Sequence, residues 1–159
     1  MAKILVAVFS PTGTTRKIAD MISEITGADS YEIKPAKKYT SNDLDWDNKL
    51  SRSSVEMMDQ NSRPELADKN AKIDNYDTIF LGFPIWWYVA PRIIQTFLES
   101  YNFDGKTIVT FATSGGSGFG DTLSNLEHSA PDSKFIQGRV FRGHTEKDTV
   151  ATWLKTVDY

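Results

Sequence analysis

Residues 4–9, 78–83 and 107–112 of this 159-residue chain are continuously apolar and uncharged, relieved only by threonines and by Gly82. A strand with one wet face alternates polar and apolar residues, so strands written this way must be covered on both faces, as in a parallel sheet between helical layers. Residues 30–33 and 135–141 read as two further, more polar strands. Between the strands, apolar residues recur at helical spacing. One set is Ile18, Met21, Ile22 and Ile25, and a second is Ile93, Ile94, Phe97, Leu98 and Tyr101. Phe119, Leu123 and Leu126 mark a weaker helix, and Val150, Trp153, Leu154 and Val157 the last. Short strands alternating with helices are the signature of repeated β-α-β units. The expectation is an α/β domain spanning residues 1–159, with five strands and about as many helices.

The least regular stretch is 34–72, which is polar, with Trp46, Leu50, Val55, Met57 and Met58 at roughly helical spacing. It predicts a second helix and a long surface excursion ending near Arg63-Pro64, and a connection of that length is more often functional than idle. Trp46 reads either as a lid or as packing under that loop, with packing favoured.

Composition narrows the chemistry. With 40% hydrophobic and 25% charged residues the chain has the balance of a soluble globular protein. The absence of cysteine excludes disulfides, thiolate catalysis and cysteine-bound clusters, and two isolated histidines, His128 and His144, predict no histidine metal site. Both histidines read as surface residues, His144 at the start of the last helix. Any redox chemistry must then come from a bound cofactor. A net charge of −3 with interspersed signs argues against nucleic acid and anionic membrane as partners. The first apolar run is too short for a signal-peptide core. Residues 78–91, although uncharged, are shorter than a membrane span and are interrupted by Gly82 and Pro84. A cytoplasmic protein without membrane insertion is expected.

Three loops leave the carboxyl ends of apolar strands, where an open parallel sheet binds ligands. The first, Ser10-Pro11-Thr12-Gly13-Thr14-Thr15, runs straight into a helix. Its backbone N–H groups and the helix dipole favour a phosphate, and the hydroxyls of Ser10, Thr12, Thr14 and Thr15 add neutral donors. The second, Pro84-Ile85-Trp86-Trp87-Tyr88, sets three large aromatics side by side, too many for one packed face, so at least one is left at the strand's mouth to meet a planar ring. The third, Thr113-Ser114-Gly115-Gly116-Ser117-Gly118-Phe119-Gly120, has so little side-chain bulk that backbone donors can approach a flat polar ligand edge. Each loop also has a plainer reading: an N-cap for the first, core or subunit contact for the aromatics, a flexible turn for the third. Together the three describe a site for flavin mononucleotide. A Walker-type loop would need Gly-Lys-Ser/Thr, which is absent. Gly115-Gly116-Ser117-Gly118-Phe119 lacks the closing glycine of a nucleophile elbow and would need one of the histidines beside Ser117.

Over nearly its whole length the chain resembles the flavodoxin family, whose Ser/Thr-x-Thr-Gly-x-Thr phosphate motif it carries as Ser10 to Thr15 after strand one. The resemblance implies a flavodoxin-like three-layer sandwich, doubly wound, with strand order 2-1-3-4-5 and FMN at the switch point between strands one and three. It implies that Ser10, Thr12, Gly13, Thr14 and Thr15 hold the phosphate. Pro84, Ile85, Trp86 and Trp87 would then flank the isoalloxazine on one side, and Ser114, Gly115, Gly116 and Ser117 on the other. The chain departs from typical members in its modest acidity, in having no glycine between Phe83 and Pro91, and in lacking a stacking tyrosine after strand four. Its short fifth-strand region and Pro-Ile-Trp-Trp loop resemble a bacterial short-chain subgroup. The implied function is electron transport by a low-potential one-electron carrier serving redox partner proteins or a small-molecule donor and acceptor. The alternative is an FMN-dependent NAD(P)H:quinone-type oxidoreductase, and a scaffold that has lost its flavin is a third reading.

Overall fold

In the computed structural model, which describes residues 3–159, each apolar run becomes a strand of one five-stranded parallel sheet. The chain runs through β1 (Ile4–Val8), α1 (Thr14–Thr26), β2 (Asp29–Glu32), α2 (Arg52–Met58), a 3-10 turn at Ile73–Asn75, β3 (Thr78–Pro84), α3 (Arg92–Glu99), β4 (Thr107–Thr113), α4 (Thr122–Glu127), β5 (Lys134–Phe141) and α5 (Lys147–Leu154). The order across the sheet is β2-β1-β3-β4-β5, so the direction of winding reverses at β1 and β3. This is the flavodoxin-like α/β architecture that the sequence predicts. No helix of the described residues is long and apolar enough to cross a membrane.

Alternation along β1 shows how both faces are covered. Leu5, Ala7 and Phe9 join the core under α3 and α4, with Ile93, Ile94, Phe97 and Leu126. Val6 and Val8 point the other way, into the core under α1 and α5 with Ile18, Ile22, Val150 and Trp153. Two glycines serve this packing. A Cβ on Gly82 would lie 2.2 Å from Cζ of Phe111, so the glycine makes room for a ring laid across the strand. Gly138 marks the bulge where β5 slips register past Thr110, and a Cβ there would sit 2.1 Å from the Thr110 carbonyl oxygen and 2.6 Å from the Trp153 ring.

Several residues sit differently from the places their spacing predicts. Phe119 is buried ahead of α4 rather than in it, and Tyr101 and Val157 lie beyond the helices they were expected to mark. The second helix in 34–72 is α2, where Met57 is buried and Val55 and Met58 face solvent. The excursion is closed at its base by an antiparallel pair, Ala36 N–H to the Glu65 carbonyl and Ala67 N–H to the Lys34 carbonyl, both 2.8 Å.

Candidate functional site

Register aligns the carboxyl ends of the central strands, with Val8 opposite Gly82, Pro84 opposite Thr113, and Thr113 opposite Phe141. The loops that follow therefore share one rim. At its centre lies a cavity of about 540 Å³, within the usual range for small-molecule sites. Thr12, Pro84, Ile85, Trp86, Trp87 and Ser117 of the expected site line it, together with Pro11 and Tyr88, and no lining residue is charged.

In the first turn Gly13 takes φ 85° as it enters α1, a left-handed conformation that suits glycine. Ser10 Oγ accepts from the Arg16 N–H at 3.0 Å, so the capping role is real. It leaves much unused, because the N–H groups of Thr12, Thr14 and Thr15 have no acceptor among the described residues. The Thr12 and Thr14 hydroxyls lie 3.2 Å apart beside them. One expectation fails: the Thr15 hydroxyl does not face the turn. It is buried and bonded at 2.7 Å to Thr113 Oγ1, tying α1 to the end of β4, so Thr15 offers only its N–H.

The second loop is a two-residue hairpin. Trp86 N–H donates to the Val89 carbonyl (2.9 Å) and Val89 N–H returns to Trp86 (3.2 Å). Trp87 and Tyr88 at its tip have φ values of 49° and 65°, the pattern of a type I′ turn usually built from Asn and Gly. Left-handed backbone costs a non-glycine residue roughly 1–2 kcal/mol. The tip is nevertheless fixed, because the Tyr88 carbonyl accepts from Asp121 N–H at 3.2 Å, and a Cβ on Gly120 would come within 2.6 Å of that oxygen. This geometry holds Trp87 out at 45% exposure. Trp87→Gly is expected to be more stable than Trp87→Ala by about 1 kcal/mol, because both lose the indole but only glycine relieves the strain. Denaturant unfolding of the two variants checks the order.

Trp86 turns inward. Its ring meets Phe9 at 5.8 Å and Tyr39 at 5.7 Å, both edge-on, and Phe9 and Tyr39 are 5.6 Å apart. Tyr39 brings in the excursion: its hydroxyl donates to Glu56, and the Arg52 guanidinium lies 3.8 Å over its ring while pairing with Glu56 at 2.9 Å. Burial, with the bond to Glu56, pushes the Tyr39 phenol well above its ordinary pKa, so it stays a neutral donor.

Leu44, Trp46 and Ser53 of that excursion also line the cavity; the sequence pattern singles out Trp46 but gives no sign of Leu44 or Ser53. Of the two readings of Trp46, lid or packing beneath the loop, the favoured one fails: the side chain is 71% exposed at the cavity's edge. For Leu44 and Ser53 the only available signal was the excessive length of the 34–72 connection.

The third loop is built on Ser114, whose Oγ accepts from the N–H groups of Gly116 (3.2 Å) and Ser117 (2.9 Å). A Cβ added to Gly115 or Gly116 would meet nothing within 4 Å, so the space above them is open. Ser117 Oγ pairs with Ser114 Oγ at 2.9 Å, and neither His128 nor His144, both exposed, bonds to it, so the structure does not supply the histidine that a nucleophile elbow at Ser117 would need. His144 lies in the loop before α5, two residues ahead of the Glu146 cap.

The sequence pattern of the family described as Flavodoxin matches residues 3–157. The chain belongs to the flavodoxin family. Among solved structures it is similar to a Bacteroides eggerthii protein assigned as a flavoprotein (48% identity, TM-score 0.91, 98% of each chain). A Bacteroides uniformis protein similarly assigned gives 49% identity and a TM-score of 0.92 over 97% of this chain and 98% of that one. A Lactobacillus acidophilus flavoprotein solved in complex with FMN shares the fold at 24% identity, with a TM-score of 0.66 over 95% of this chain and 99% of that one. No curated protein matches the chain. The flavodoxin switch point between β1 and β3 is where this cavity opens.

Proposed function

We propose that this protein binds FMN across the rim of its sheet and works as an electron-transfer protein. The observation that carries the reading is the meeting of unpaired N–H groups in the first turn with an uncharged, aromatic-walled cavity that Thr12 also lines. Ser10, Thr12, Gly13 and Thr14, with the Thr15 N–H, would hold the phosphate. Pro84, Ile85, Trp86 and Trp87 would flank the ring system on one side, and Ser114, Gly115, Gly116 and Ser117 would offer backbone donors on the other, where open space lies over the glycines. The FMN complex of the Lactobacillus acidophilus relative supports this choice of ligand. Bound FMN supplies the capacity to accept and release electrons, and the protein governs binding, access and electronics. An uncharged lining disfavours added negative charge on the ring, which suits a low-potential one-electron carrier. Its partners would be redox proteins or small-molecule donors and acceptors.

A second reading, an FMN-dependent NAD(P)H:quinone-type oxidoreductase, is favoured by the exposure of Trp46 and Trp87, which leaves the cavity accessible to a second molecule. Stopped-flow mixing of the FMN-loaded protein with NADH or NADPH separates the two. The carrier is expected to keep its flavin absorbance for seconds after mixing. Rapid bleaching would overturn the carrier in favour of the enzyme, and a protein that takes up no added FMN would overturn both.

A further inference from the structure

One cation outside the three loops reaches the glycine-rich loop whose Ser117 lines the uncharged cavity. Arg142 follows β5 directly, and its Nη1 donates to the Gly115 carbonyl of the glycine-rich loop. It has no carboxylate within ion-pair distance among the described residues, whereas Arg16, beside the first turn, is paired with Asp20 (3.3 Å) and Glu32 (2.6 Å). The backbone around Arg142 is well held. The Phe141 carbonyl accepts from Ser114 N–H at 3.1 Å, and the Arg142 carbonyl accepts from the hydroxyl (2.6 Å) and N–H (3.2 Å) of Thr145. The next residue abuts the first turn, where a Cβ on Gly143 would lie 3.1 Å from Thr14 Cγ2. A fixed backbone thus carries an unneutralised guanidinium to the loop assigned to the polar edge of the ring.

We propose that Arg142 is a positioning residue that tunes the flavin: it holds the Gly115 carbonyl toward itself, outside the cavity lining, and sets a positive charge beside the ring edge. The inference rests on the FMN reading above. Reduction adds negative charge to the ring, and a nearby cation favours that state. Arg142 therefore lifts the potential above the value that the neutral cavity alone would give.

Two variants separate charge from contact. Arg142→Gln loses the charge and, being two bonds shorter, the reach to the Gly115 carbonyl, whereas Arg142→Lys keeps the charge without the planar fork. Dissociation constants of oxidised FMN and riboflavin, and the two-electron midpoint potential with each, are measured for the parent and both variants. Arg142→Gln is expected to lower affinity for the reduced flavin relative to the oxidised about tenfold, equivalent to about 30 mV for two electrons, equally with FMN and riboflavin. Arg142→Lys is expected to stay near the parent. An unmoved potential in Arg142→Gln, a shift seen with FMN but not riboflavin, or an equal shift in Arg142→Lys would each overturn the assignment while leaving the FMN reading intact. A parent protein that binds neither flavin would overturn both.

Discussion

The double substitution Thr12→Ala, Thr14→Ala is expected to weaken FMN binding about a hundredfold while leaving riboflavin affinity within about threefold of the parent. The two hydroxyls lie 3.2 Å apart at the start of α1, beside the unpaired N–H groups. A hydrogen bond to a charged group contributes roughly 1.5–3 kcal/mol, so losing two at one phosphate corresponds to that factor even when water replaces part of the contact. The turn itself should survive, because Ser10 Oγ and Gly13, which shape it, are untouched. Fluorescence titration with both flavins checks the prediction. An equal loss for both would mean that the threonines act on the ring or on the fold and not on the phosphate.

Trp86→Ala is expected to cost about 3 kcal/mol of stability and to loosen the excursion as well as the cavity. Trp86 forms one corner of the triangle with Phe9 and Tyr39, and edge-on aromatic pairs contribute roughly 0.5–1.5 kcal/mol each beyond their buried area. Tyr39 is the excursion's anchor, braced by Arg52 and Glu56, so removing its neighbour withdraws support from residues 36–65. Trp86→Phe should keep most of the stability, because a smaller ring can still touch Phe9 and Tyr39. Denaturant unfolding measures the first effect, and faster amide exchange confined to the excursion measures the second. Uniformly faster exchange throughout the sheet would show that Trp86 supports the whole fold and not this segment.

The sheet was readable because burial on both faces leaves no choice of residue: the apolar runs that became β1, β3 and β4 had nowhere else to go. The phosphate turn was readable because a strand, a short hydroxyl-rich turn and a helix are adjacent in the chain. What stayed hidden was long-range or conformational. That Thr15 would turn inward depends on Thr113, far along the chain on β4. That Trp87 and Tyr88 would adopt left-handed backbone runs against local preference, and the tip is fixed in part by a carbonyl contact at the start of α4. Leu44 and Ser53 reach the cavity through a segment whose only periodic part is the short α2, and the contacts of Tyr39 rather than that pattern tie it to the rim. Arg142 lies one residue past a strand that carried no recognised ligand signal.

The backbone rung joining Ala36 to Glu65 and Ala67 to Lys34 gives the excursion a narrow neck. For the unpacked stretches beyond such a neck, added length costs little, since doubling the length of a flexible loop raises its closure cost by only about 0.6 kcal/mol. The freedom to vary in length therefore belongs to the stretches between its anchors, because Tyr39 against Phe9 and Trp86, the Met57 carbonyl on Arg92 and Arg63 on Glu99 tie the excursion to the sheet and to α3 at fixed points.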